Sequence, residues 1–265
     1  MSFSPTNSTM LASAGYDHKV VLWDVGAHQR GGGAVVRTLS GHSDAVTCLA
    51  FHPERPGVIA SGSGDATIRV WDTLSGQTTQ VLEGGHSDWI KGVAWSPFAP
   101  AALASVSDDG SVLLWDADKG VVKKKFEGGH SDFVTAVAFS PADPTVLATS
   151  SVDRTVVVWD IKGGGVTYKF TEASDEVHTI SWSSHTEGLL ATGSHDAKVI
   201  GGWSPSAWKM SYYQHFEGCL NHSLRLSLCP PLVLVQLSLS RFFNALLYAS
   251  STNVYLPPCL CVCAI

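Results

Sequence analysis

The sequence predicts an all-β chain assembled from one repeated four-strand unit. The first observation behind this is a fixed period. GHSDAVTCLAFHPERPGVIASGSGDATIRVWD occupies residues 41–72, GHSDWIKGVAWSPFAPAALASVSDDGSVLLWD occupies 85–116, and GHSDFVTAVAFSPADPTVLATSSVDRTVVVWD occupies 129–160. Trp71, Trp115 and Trp159 stand 44 residues apart, as do His42, His86 and His130. A repeat of this length signals stacked supersecondary units, because one unit cannot bury its own apolar face. The second observation is the make-up of each unit. Short β-rich runs are bounded by Gly, Pro, Asp and Ser. In the middle unit they are Trp89–Trp95, Ala101–Val106, Ser111–Trp115 and Val121–Phe126. Asp109-Gly110 between the second and third is a tight-hairpin signal. Residues 1–203 contain no helical periodicity of useful length.

The units extend beyond these three copies. The spacing from aromatic to Leu or Ile is eight residues at Phe3/Leu11, Phe51/Ile59, Trp95/Leu103, Phe139/Leu147 and Trp182/Leu190. Met1 therefore falls inside the first strand of a unit that lacks its Gly-His half, and LASAGYDHKVVLWDV completes that unit. The connection from Trp23 to His42 is 19 residues, against 15 from Trp71 to His86. The excess lies around Gly31-Gly32-Gly33, a loop and not a phosphate cradle, since no strand–helix junction or Gly-Lys-Ser/Thr accompanies it. The fifth unit decays. Glu172-Ala173-Ser174-Asp175 replaces the Gly-His segment, and the turn Asp to Trp distance is seven residues at Asp196/Trp203, against six in the other units. Ser204 follows Trp203 where Asp is expected, and the pattern ends near Val199.

The Gly-His openings and Trp-Asp closings resemble the WD40-repeat family of β-propellers, over roughly residues 1–203. The resemblance implies four-stranded antiparallel blades, and the unit count implies an incomplete propeller of four to five of them. It also implies a hydrogen-bonded tetrad of His, turn Asp, Trp and a strand hydroxyl in each full unit. These are His42/Asp65/Trp71, His86/Asp109/Trp115 and His130/Asp153/Trp159, with the serine drawn from Ser61/Ser63, Ser105/Ser107 or Ser150/Ser151. A buried polar group must be paired, and a connected network fixes one register among similar strands. The first and fifth units lack the His, so their blades are expected to be weaker.

Near-identical repetition also argues against reading the Ser, His and Asp residues as a hydrolase triad or as metal ligands, because an active site needs one constellation. No catalytic residue, cofactor site or metal site is expected, and the chain reads as a non-enzyme. Candidate binding positions are those that vary inside the constant frame. They are Ala45, Trp89, Phe133 and Glu176 after the Ser-Asp pair, and Thr47, Lys91, Thr135 and His178 two residues on. Period-2 geometry puts both on one side of the first strand. In propellers of this kind that strand lines the central channel and starts at the narrow face. Aromatics and long cations there make interface anchors; packing between blades is the competing reading. Lys123-Lys124-Lys125 reads as a solvated edge. Trp159-Asp160-Ile161-Lys162 is close to a Trp-Asp-x-Arg adaptor-docking box, but Lys lacks the planar fork of Arg.

The chain carries net charge −6, which argues against general phosphate-backbone binding. Residues 1–203 hold one cysteine, Cys48, which fits a reducing compartment. No secretory signal is visible at the N-terminus, and cytoplasm or nucleus is expected. The expected function is a protein-interaction scaffold or adaptor for other proteins or peptides. No direct nucleic-acid contact or membrane span is expected, and self-association through open propeller faces is. Residues 204–265 differ in composition: rich in Leu, Ser, Pro and Cys, with no acidic residue after Glu217. Unrelated sequence joined to an interrupted repeat array, a divergent strand pair, and a membrane-associating segment all stand open, with poor order expected. A truncated or mis-spliced product without independent function, or a membrane-associated scaffold, is the alternative reading of the whole.

Overall fold

The computed structural model describes residues 1–26, 34–184, 188–196, 198–203, 210–215, 224–227, 235–236 and 261–264. The Gly31–Gly33 loop and most of the tail lie outside them. Five four-stranded antiparallel sheets follow one another along the chain. Blade one comprises β1 (Ser2–Phe3), β2 (Met10–Ala14), β3 (Lys19–Asp24) and β4 (Ala34–Ser40). Blade two comprises β5 (Val46–Phe51), β6 (Val58–Ser63), β7 (Ile68–Asp72) and β8 (Thr78–Leu82). Blade three is β9 (Ile90–Trp95), β10 (Ala102–Ser107), β11 (Val112–Asp116) and β12 (Val121–Phe126). These bounds fall within one residue of the runs expected from sequence. Blade four is β13 (Val134–Phe139), β14 (Val146–Ser151), β15 (Val156–Asp160) and β16 (Val166–Phe170). Blade five is β17 (Val177–Trp182), β18 (Leu190–Ser194), β19 (Lys198–Trp203) and β20 (Met210–His215).

Each sheet is a meander, so strand order equals chain order. The first strands β5, β9, β13 and β17 neighbour one another from blade to blade and form the inner wall. The apolar core lies between blades. Ala60, Ile68 and Leu82 of blade two pack against Ile90, Trp95 and Trp115 of blade three. Ala104, Val112 and Phe126 of blade three meet Val134, Leu147 and Trp159 of blade four. The third-strand Trp thus faces the preceding blade.

Blade five continues where the repeat pattern stops. Leu190 pairs with Trp203, but the next pair is Ala191 with Gly201, so the extra residue is absorbed as a bulge. A bulge takes up one added residue at the cost of a local kink. The sheet is then closed by β20, inside the segment expected to lie outside the repeats. Farther on, β21 (Leu224–Ser227), β22 (Val235–Gln236) and β23 (Cys261–Ala264) form a three-stranded antiparallel sheet. Among the described residues no helix is long and apolar enough to cross a membrane.

Hydrogen bonds between blades run largely from side chains to backbone carbonyls. Trp95 Nε1 donates to Ala50 O at 3.1 Å and Trp182 Nε1 to Ala138 O at 3.1 Å. Thr47 Oγ1 donates to Ile90 O, and Thr135 Oγ1 to Val177 O at 2.6 Å. Lys124 Nζ reaches the carbonyls of Ile161 (2.9 Å) and Lys162 (2.6 Å). Lys124 is thus a tie to the next blade and not part of a solvated edge; Lys123 and Lys125 are exposed. Arg55 and Asp118 form an exposed side-chain pair at 2.7 Å.

Candidate functional site

Two kinds of polar group repeat from blade to blade, and their surroundings differ. In blade two, Trp71 Nε1 donates to Ser61 Oγ at 2.8 Å, Ser61 Oγ lies 2.7 Å from His42 Nε2, and His42 Nδ1 lies 2.9 Å from Asp65 Oδ2. One proton order satisfies all three: indole to hydroxyl, hydroxyl to neutral imidazole, imidazole to carboxylate. Burial accordingly lowers the His42 pKa against the pull of Asp65. For Asp65, burial alone would raise the pKa. Hydrogen bonds from Thr67, the Ser43 amide and His42 outweigh it and hold the carboxyl at about 2.

Blade three repeats the geometry with Trp115, Ser105 and His86, and Asp109 lies 3.1 Å from His86. In blade four, Trp159 Nε1 donates to Thr149 Oγ1 at 2.8 Å, and Thr149 lies 2.7 Å from His130, which is 3.2 Å from Asp153. The hydroxyl there is Thr149, neither Ser150 nor Ser151. The 44-residue period from Ser61 through Ser105 leads to it directly, and threonine offers the same hydroxyl. Ser63, Ser107 and Ser151 instead accept from the turn Asp amides. The preceding glycines have a steric reason. A Cβ on Gly85 or Gly129 would collide with the Trp115 or Trp159 ring.

The tetrads are buried and internally paired, so they offer nothing to a ligand. Blade one keeps only Trp23 Nε1 to Ser13 Oγ at 2.8 Å. In blade five, the Ser174 amide and hydroxyl bind Asp196 at 3.0 and 2.8 Å.

The varied positions cluster where the blades' first strands begin and the second-to-third-strand turns start. Backbone bonds tie the two: Gly64 N to Ala45 O, Asp108 N to Trp89 O, Val152 N to Phe133 O and His195 N to Glu176 O. Blades two to five therefore each bring three variable positions to this rim. Blade three shows Trp89, Lys91 and Asp108, and blade five shows Glu176, His178 and His195. Phe133 is 48 % exposed. Trp89 is half-buried, with Lys91 Nζ 5.1 Å from its ring and Tyr16 at 6.4 Å. Lys91 is not a free cation: its Nζ pairs with Asp108 Oδ2 at 3.1 Å. Burial raises the Asp108 pKa against that pairing.

Not every expected position presents a side chain. Ala45 is 3 % exposed and carries no handle for a partner. The Thr47 and Thr135 hydroxyls are taken by carbonyls of the next blade. Sequence reasoning also missed Tyr16, which is 82 % exposed, and His195. The signal was available, because the residue before each turn Asp reads Tyr16, Gly64, Asp108, Val152 and His195, as variable as the positions that were singled out.

A buried constant frame carrying a variable exposed rim defines a repeat scaffold of the β-propeller class. The family model for the WD domain, G-beta repeat, matches residues 1–24, 33–72, 76–116 and 120–160. The chain belongs to the WD40 family, whose repeats serve generally as protein-interaction scaffolds. It is similar to nuclear distribution protein PAC1 of Komagataella phaffii, at 37 % identity over 26 % of this chain and 14 % of the relative. It is similar to THO complex subunit 3 of Arabidopsis thaliana, at 35 % over 29 % of this chain and 24 % of that protein. Histone acetyltransferase type B subunit 2 of Candida glabrata matches at 36 % over 27 % of this chain and 16 % of its own length. The chain thus spans well under two thirds of each.

Proposed function

We propose that this chain is a non-catalytic scaffold that binds a protein or peptide partner across the rim bearing Tyr16, Trp89, Lys91, Phe133, Glu176 and His178. The carrying observation is the separation just described: the tetrad residues repeated between blades are buried and paired, while the varied positions gather at one end, with Tyr16 and Phe133 exposed and Trp89, Lys91, Glu176 and His178 partly so. Trp89 is the anchor. Lys91, itself held by Asp108, sits over its ring and keeps it in one orientation, so little side-chain freedom is lost on binding. Phe133, on the adjacent blade, supplies a second apolar surface. Cytoplasm or nucleus is the proposed compartment, supported by the names of the nuclear distribution and histone acetyltransferase relatives.

The test is quantitative co-purification from cells. The full chain would be compared with a Trp89→Ala/Phe133→Ala double variant and with Lys123→Ala on the exposed edge strand. The reading predicts that the double variant loses the specific co-purifying proteins, at an unchanged melting temperature, while Lys123→Ala retains them. Retention of the same proteins by the double variant would overturn it.

A second reading rests on a separate observation. The outer face of blade one, around Trp23, has no sheet packed on it among the described residues, and Trp23 is partly exposed where Trp71, Trp115 and Trp159 are buried. Apolar faces of this kind favour self-association. Light scattering across a concentration series reads it directly.

A further inference from the structure

At the rim of blade five, Glu176, His178 and His195 bring one carboxylate oxygen and two ring nitrogens to within 4.8 Å of one another. We propose that this trio binds a divalent transition-metal ion, with Zn²⁺ as the best-fitting one.

The backbone positions the three ligands before any metal arrives. Glu176 and His178 flank Val177 at the start of β17, where the pairing with β18 is bulged between Val177 and Thr179. His195 follows β18, and its amide donates to the Glu176 carbonyl at 2.9 Å, which locks the turn beside the strand. His178 Nε2 lies 3.1 Å from Glu176 Oε2, and His195 Nδ1 lies 3.8 Å from the same oxygen. Ligand atoms around tetrahedral zinc stand about 3.3 Å apart, given zinc–nitrogen and zinc–oxygen bonds of about 2 Å. One pair is already at that spacing, and the others close by rotamer adjustments of half-exposed side chains.

The imidazole centroids are 4.1 Å apart. Two imidazoles and one carboxylate match the nitrogen and oxygen donors zinc accepts, and imidazole suits Zn²⁺ better than Mg²⁺ or Ca²⁺. The counterpart positions are Ala45, Thr47 and Gly64 in blade two, Trp89, Lys91 and Asp108 in blade three, and Phe133, Thr135 and Val152 in blade four. Among the described residues, this is the place where three donors converge outside the tetrads. Three protein ligands leave a coordination position open to water or to a donor from a binding partner. The inference stands whether or not the aromatic end of the rim binds protein.

The test uses the full chain with its tail cysteines first alkylated by iodoacetamide, because thiolates there would compete for the metal. Zinc binding is then measured by competition with a chromophoric chelator, for wild type, Glu176→Gln, His178→Ala and His195→Ala. The expected result is one equivalent on wild type and binding weakened at least about tenfold in each variant, with circular-dichroism melting unchanged in the absence of metal. In parallel, zinc is expected to protect His178 and His195 from diethyl pyrocarbonate, as read by peptide mass spectrometry, while exposed His18 stays reactive. Absence of a bound equivalent on wild type overturns the proposal. So does equal binding by all three variants, or failure to protect either histidine. A variant that fails to fold is set aside in favour of the protection measurement on wild type, which decides alone.

Discussion

Blades two to four and blade one follow the same strand grammar and differ in a histidine and a neighbour. The Trp–hydroxyl bond is 2.8 Å in all four. It therefore forms without the histidine. What the histidine adds is a link from that hydroxyl to the turn Asp, which joins both ends of the third strand into one network. What the neighbour adds is burial: Trp71, Trp115 and Trp159 are each 1 % exposed, and Trp23 is not buried. The tetrad's hydrogen bonding is thus local to a blade, and hydrophobic stabilisation is shared between blades.

The largest test of this division is deletion of the indole. Trp115→Ala should cost about 3–5 kcal/mol, as for a fully buried aromatic, and Trp23→Ala less than half of that. Urea midpoints read both, and equal losses would break the comparison. Next comes the histidine. His86→Ala leaves the buried Ser105 hydroxyl and the Asp109 carboxylate short of a partner and should cost about 1–3 kcal/mol. Blade one has no such residue to lose, so hydrogen exchange in β3 should not change with this variant.

Acid sharpens the comparison further. His42 has a folded pKa below its ordinary 6.5, so its contribution is present at neutral pH and is lost as pH falls below that value. Asp65 has its pKa depressed from 3.8 to about 2, so its contribution is present above about pH 4 and is lost as pH falls toward 2. Both groups drive the same way. Blade two should therefore weaken progressively from about pH 6.5 downward, and His42→Gln should flatten the upper part of that profile. The smallest effect concerns the turns. Ala66 and Arg154 sit at φ 61° and 68°, where blade three has Gly110 at 76°. Arg154→Gly should stabilise by roughly 0.5 kcal/mol, the left-handed strain relieved less the entropy glycine adds. A loss on this substitution would show that the arginine side chain contributes contacts that outweigh the strain.

Much of this fold was legible in the chain because the repeat states its own register. The period located Trp71, Trp115 and Trp159, and the runs around Ile90, Ala102 and Val112 gave strands within a residue. Two things were not legible. Val199 onward lost the pattern, yet β19 and β20 pair, because backbone hydrogen bonding asks little of side-chain identity and a bulge at Leu190/Ala191 absorbs the added residue. At the rim, variation marked positions that the fold gathers at one end, but not what each side chain touches there. Lys91 is spent on Asp108, and Thr47 on the next blade's backbone, and such pairings depend on distances between segments far apart in sequence.

Bonds that end on backbone carbonyls have a consequence for how such a chain changes over time. Thr135, Trp95 and Trp182 each need from the adjoining blade only a peptide group in the right place. Every sequence supplies one. A duplicated 44-residue segment can therefore be set beside a diverged copy without matching substitutions on both sides of the seam. The apolar contacts ask only for similar volume. Copy number and rim chemistry are free to drift separately, which makes a unit of this length a natural currency for recombination.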